Sequence, residues 1–145
     1  RPGDRQRRLP GVGRTADDNY ASLAAVKLAR REHWRREKLN AAIARFREGA
    51  HKRGFELMPS NTAIQPLPCG DETHALAYAK ALEAQGYWIS AIRPPTVPEG
   101  KSRLRITLTA LHTPADIDGL LDALAWSRDA IDQGFDHGAP ALEHA

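Results

Sequence analysis

Hydrophobic and polar positions change their spacing three times along the chain. Residues 1–19 show almost no periodicity: Arg1, Arg5, Arg7, Arg8 and Arg14 are interspersed with Pro2, Gly3, Pro10, Gly11 and Gly13. Such a stretch cannot bury enough apolar area to offset its ordering entropy, and it reads as a disordered basic segment. Residues 20–54 read as a helical arm. The stretch 21–29 is rich in strong helix formers, and Leu39, Ile43, Phe46 and Ala50 recur at spacings of four, three and four, which makes one apolar stripe. The stripe drifts at Arg31-Glu32-His33, where a break in the helix is expected, and Gly54 is a natural terminator.

Residues 60–131 follow a β-α-β-β-α pattern. Ala63-Ile64-Gln65-Pro66-Leu67 is a short extended run that Pro66 within it and Pro68 after it confine to an edge strand or a strand end. Asp71 or Thr73 caps a helix with the stripe Ala75, Leu76, Ala79 and Leu82, closed by Gly86. Residues 87–92 form a strongly apolar strand, Tyr87-Trp88-Ile89-Ser90-Ala91-Ile92. After a Pro-rich loop, residues 103–109 alternate: Leu104, Ile106 and Leu108 point one way, and Arg103, Arg105, Thr107 and Thr109 the other. Thr113, Pro114 and Asp116 are the start signals of a last helix with the stripe Ile117, Leu120, Leu121, Leu124 and Ile131. Residues 132–145 read as a flexible tail. The expected class is α+β: a long N-terminal helix, broken or not, then a small antiparallel three-stranded sheet with helices on one face.

Charge follows the same division. Residues 1–59 carry 15 Lys/Arg against 7 Asp/Glu, and residues 60–145 carry 6 against 11, within a chain of 145 residues and net charge +3. The basic half lacks interleaved aromatics, so no nucleic-acid partner is expected. No apolar run approaches the roughly 20 residues of a membrane helix, so no membrane partner is expected and a cytoplasmic location is. One cysteine, Cys69, excludes an internal disulfide and a cysteine zinc site.

The candidate chemistry is sparse. No two of the six histidines have helical metal-ligand spacing, and no metal site is expected. Cys69 is followed by Gly70-Asp71-Glu72, the wrong sign to activate a thiol, and reads as a loop cysteine. Trp34, Trp88 and Trp126 read as packing residues. Arg105 stands out, because a guanidinium in mid-strand on the polar face of a small sheet costs desolvation unless it meets an anion.

The stretch Ala91-Ile92-Arg93-Pro94-Pro95-Thr96-Val97-Pro98-Glu99-Gly100, with Arg103-Leu104-Arg105-Ile106-Thr107-Leu108-Thr109-Ala110 and His112-Thr113, resembles the C-terminal domain of the α-oxoamine synthases. Its Ile92-Arg93-Pro94-Pro95-Thr96 version is most similar to the branch that makes 8-amino-7-oxononanoate. The resemblance covers residues 21–130. It implies a transferase that uses pyridoxal 5′-phosphate (PLP) to condense L-alanine with a pimeloyl thioester, of acyl carrier protein or coenzyme A, with loss of carbon dioxide, in biotin biosynthesis. It implies a homodimer. It further implies that Arg105 grips the amino-acid carboxylate, that Thr96 contacts substrate, and that Arg93 lines the same pocket. The Schiff-base lysine and the cofactor-binding positions of that family lie in a large domain that this sequence lacks, so no catalytic or cofactor-binding residue is expected here, and the chain alone is expected to be inactive. The alternative is a non-catalytic module that pairs with a separate catalytic domain or with the full-length enzyme.

Overall fold

The expected breaks and alternations are largely those observed, in a computed structural model that describes residues 16–134. The elements are α1 (Ala16–Arg31), α2 (His33–Lys52), β1 (Ile64–Gly70), α3 (Glu72–Ala84), β2 (Ser90–Ile92), β3 (Ser102–Thr107) and α4 (Pro114–Asp132). The chain divides into two units, Arg1–Trp34 and Arg35–Ala145.

In the first unit α1 ends on Arg30 and Arg31, whose charges oppose the negative end of the helix dipole. It begins at Ala16, four residues before the expected start at Tyr20. The expectation of disorder over 1–19 therefore fails for residues 16–19, and its remainder lies outside the described residues, as does most of the 132–145 tail. The helix is interrupted at Glu32, at the expected place.

In the second unit the three strands are antiparallel in the order β1-β3-β2. The Leu108 N–H donates to the Ala63 carbonyl at 2.8 Å. Hydrogen-bonded pairs then alternate along the register, so Gln65 faces Ile106 and Leu67 faces Leu104 in such pairs. Pro66, opposite Arg105, and Pro68, opposite Arg103, fall between them, where a missing N–H leaves no gap in the ladder. The register shifts between Pro68 and Gly70, a bulge that seats Cys69 in the strand rather than in the expected loop.

The inner face of the sheet carries Leu67, Leu104 and Ile106, covered by Phe46 of α2, Leu82 of α3 and Leu121 and Leu124 of α4, all buried. Helix α2 meets α4 at Gly49, where an added methyl would collide with Leu121 Cδ1. Two ion pairs flank this crossing, Arg45–Asp118 and Arg53–Asp122, each 2.6 Å. Helix α3 is capped by Asp71, which accepts from the His74 N–H at 2.8 Å. Helix α4 carries a full capping box: Thr113 Oγ1 accepts from the Asp116 N–H, and Asp116 Oδ2 from the Thr113 N–H.

Four expectations need correction. Leu76 is 41% exposed, because the buried face of α3 runs through Ala75 and Leu82, and Leu76 lies about 100° away from Ala75. Ile131 is only half-buried; its neighbour Ala130 takes the inner position. The three tryptophans are exposed, Trp88 by 90%, so they are not core packing residues. Trp126 follows Leu124 by two positions and so points away from the core. Finally, β2 spans only Ser90–Ile92 and not 87–92. Tyr87 is tethered elsewhere: its N–H donates to the Leu82 carbonyl at 2.9 Å, and its phenol lies over Gly119 of α4, where a methyl would stand 2.6 Å from the hydroxyl.

Candidate functional site

The outer face of the sheet presents Arg105. It is exposed, and its cross-strand neighbours on that face are Pro66 and Ser90. Neither is acidic and neither is long enough to cover a guanidinium. The other arginines from Arg45 to Arg128 are engaged: Arg45 with Asp118, Arg47 with Gln65, Arg53 with Asp122, Arg93 with Glu72, Arg103 with the Lys101 carbonyl, and Arg128 with Asp129. Among the described residues Arg105 alone in this set has neither a hydrogen bond nor an ion pair. A planar fork left open in this way matches a carboxylate with two parallel N–H···O bonds.

Arg105 also lines a cleft of about 430 Å³ at the β2 edge, together with Tyr87, Trp88, Ser90, Thr107 and His112. His112 Nδ1 accepts from the Thr109 N–H at 3.1 Å, which leaves the proton of the neutral ring on Nε2. Asp116 lines the cleft too, and the Thr113 N–H holds its carboxyl below the usual carboxylate range.

Thr96 and Arg93 lie outside this cleft. Thr96 is exposed in the Pro-rich turn, and its N–H donates to the Arg93 carbonyl at 3.1 Å. Arg93 follows Ile92, which pairs with Arg103; its Nη1 donates to Glu72 in the first turn of α3 at 2.8 Å. Alternation along the strand puts Arg93 on the helix side of the sheet and Arg105 on the other. The structure thus places the three residues proposed from sequence at three separate positions, and only Arg105 lines the cleft.

The remaining reactive groups are quiet. Burial pushes the Cys69 thiol up to about 11, with the Leu104 N–H working against that and the Asp71 charge with it. Burial likewise raises Tyr78 to about 12, with smaller contributions from the charges around it. Among the described residues no group of three or more His, Cys, Asp or Glu is placed to hold a metal ion, and no helix is long and apolar enough to cross a membrane. Sequence reading missed Gln65, which is fully buried on the inner face. It accepts from Arg47 at 2.6 Å and donates to the Thr62 carbonyl at 2.7 Å, clamping the lead-in to β1. The signal for it was there: Gln65 occupies an inward position two residues before Leu67.

Residues 18–124 match the family described as aminotransferase class I and II. The chain belongs to this family. Among the aminotransferase-family proteins similar to it, the 8-amino-7-oxononanoate synthase of Xylella fastidiosa (strain M23) is 58% identical over 111 residues, 77% of this chain and 28% of that protein. A serine palmitoyltransferase variant from S. paucimobilis, solved with a bound PLP–myriocin aldimine, has a TM-score of 0.62 at 29% identity, over 68% of this chain and 25% of its own. The 8-amino-7-oxononanoate synthase of Francisella tularensis has the same fold, with a TM-score of 0.66 at 21% identity over 79% of this chain and 33% of its own. The chain spans less than a third of the length of the relatives it matches.

Proposed function

We propose that the chain is the C-terminal part of an 8-amino-7-oxononanoate synthase, with residues 60–131 as its small domain, and that it contributes the carboxylate grip for L-alanine in a condensation with a pimeloyl thioester. The observation that carries this reading is Arg105, exposed and unpartnered on the outer sheet face beside a cleft. The identity to the Xylella relative supports the choice of reaction. Thr96 and Arg93 belong to the same proposal, as residues of the turn that faces the remainder of the enzyme. A cytoplasmic homodimer completes the reading.

PLP, present in several solved relatives, does not fit the residues of this chain alone. No lysine lines the Arg105 cleft, and Lys52 is paired with Glu48 at 2.7 Å. The cofactor is therefore assigned to the part of the relatives that this chain does not span, and the chain alone is proposed to be inactive. What this chain supplies is binding and orientation: a fixed cation on a strand whose cross-strand neighbours on that face, Pro66 and Ser90, carry no charge.

The test is a chimera in which residues 18–124 replace the matched segment of the Xylella fastidiosa protein. Alanine-dependent condensation with a pimeloyl thioester is the expected result. Arg105→Ala in that chimera should weaken alanine binding by about 1.5–3 kcal/mol, the range of a charge-assisted hydrogen-bonded pair. An unchanged KM for alanine would remove Arg105 from the site.

A further inference from the structure

Residues 93–101 join β2 to β3, and none of them is buried. This turn carries Thr96, yet no side chain of its own anchors it in the core. Inside it, Pro94, Pro95 and Pro98 restrict the backbone. The Thr96 N–H donates to the Arg93 carbonyl and the Lys101 N–H to the Pro98 carbonyl, each at 3.1 Å. A stiff loop without buried contacts keeps its freedom at its two ends, where it can swing as one piece. Each end is fastened by an arginine. At the exit, Arg103 Nε donates to the Lys101 carbonyl at 3.1 Å, and Arg103 Nη1 reaches Met58 Sδ at 3.4 Å. At the entrance, Arg93 Nη1 donates to Glu72 Oε1 at 2.8 Å.

Glu72 suits the entrance better than the carboxylate beside it. Asp71 is committed to capping α3: one oxygen accepts from the His74 N–H, and the other is bonded to the His74 ring. Glu72 stands in the first turn of α3, where the helix dipole favours its charge. Helix α3 is itself secured through Ala75, Ala81 and Leu82, all fully buried. The carboxylate thus sits on a fixed support, and the guanidinium on the part that can move. Resting on the proposed role of Thr96 as a substrate contact, we infer that Glu72 is a positioning residue: by holding Arg93 it fixes the hinge of the turn, and so where Thr96 stands. Glu72 itself touches no substrate. Arg93 is the fastener of the turn, engaged on the helix side of the sheet, away from Arg105.

The test has two arms. In the whole chain, NMR relaxation at the Thr96 and Val97 amides should give order parameters of about 0.85, falling below about 0.6 in Glu72→Gln. The Leu108 amide, bonded to Ala63, should keep its exchange protection, and the melt should not move, because both members of the pair are half-exposed. Salt at about 1 M should loosen the wild-type turn and leave the variant unchanged, since it screens such a pair. In the chimera described above, Glu72→Gln should lower kcat/KM by about two- to fivefold, the range for one half-exposed ion pair. In a Thr96→Ala background the same substitution should cost nothing further, whereas with Arg105→Ala its cost should add. A lowered melt, with losses that add in every background, makes Glu72 structural and overturns the inference. An unmoved Thr96 amide in Glu72→Gln overturns it whatever the chimera does, and so does a loosened turn with full turnover. A loosened turn beside an inactive wild-type chimera rejects the reaction and keeps the latch.

Discussion

Single residues in this chain divide by what their immediate neighbours allow. Arg105 and Cys69 both sit on strands of one small sheet, yet one is open to ligands and the other closed to chemistry. At Arg105 the flanking Pro66 and Ser90 leave the cation uncovered. At Cys69 a bulge turns the thiol into a half-buried place, where burial moves it from 9.0 up to about 11. A raised folded value means the proton stays on in the native state where the unfolded chain would lose it. The stability linked to Cys69 is therefore fully present below pH 9.0 and is lost as pH rises toward about 11. At pH 8 native Cys69 should react with iodoacetamide about ten- to a hundredfold more slowly than the same chain in urea, in proportion to its thiolate fraction. Equal rates in the two states would show that the thiol is not sheltered.

At the scale of elements, the contact between α2 and α4 is set by a glycine. Gly49→Ala should gain up to about 1 kcal/mol of helix propensity. It should lose about 1–3 kcal/mol by driving Leu121, itself 1% exposed, out of its rotamer. Overpacking wins, and a urea titration should show a net loss of about 1 kcal/mol, with the Arg45–Asp118 and Arg53–Asp122 pairs contributing little against it. A gain in stability would mean that Leu121 has room to turn. What could be read from sequence here was local. The alternation of β3 and the Thr113 cap and Pro114 start of α4 are written in adjacent residues, and both appear as read. What could not be read depends on distant partners. The length of β2 is decided by Tyr87 reaching Gly119, and the partner of Gln65 is Arg47, 18 residues away. The outward turn of Trp88 follows from the first of these. Arg105 was legible because its oddity is local, whereas the cleft beside it was not, since no pattern in residues 87–92 announces that half of that strand peels away.

On the scale of the whole molecule, the chain covers only part of the length of its relatives. It spans 28% of the Xylella relative, and it exposes Tyr20, Leu23, Val26 and Leu28 on α1 and Ile64, Trp88 and Leu111 in the second unit. The consequence for activity can be argued from the lysines. A Schiff base with PLP needs a lysine of lowered pKa in a pocket that also holds phosphate and ring. Lys80 and Lys101 are exposed, Lys52 is paired with Glu48, and no lysine shares the cleft with Arg105. Mixed with PLP, the isolated chain should therefore give no stoichiometric Schiff-base absorbance beyond that of free surface amines, and no alanine-dependent condensation. Borohydride trapping followed by peptide mapping should find label spread over several lysines. Concentration at one lysine, with turnover of a pimeloyl thioester, would falsify the view that this chain supplies binding while another part of the protein supplies the cofactor.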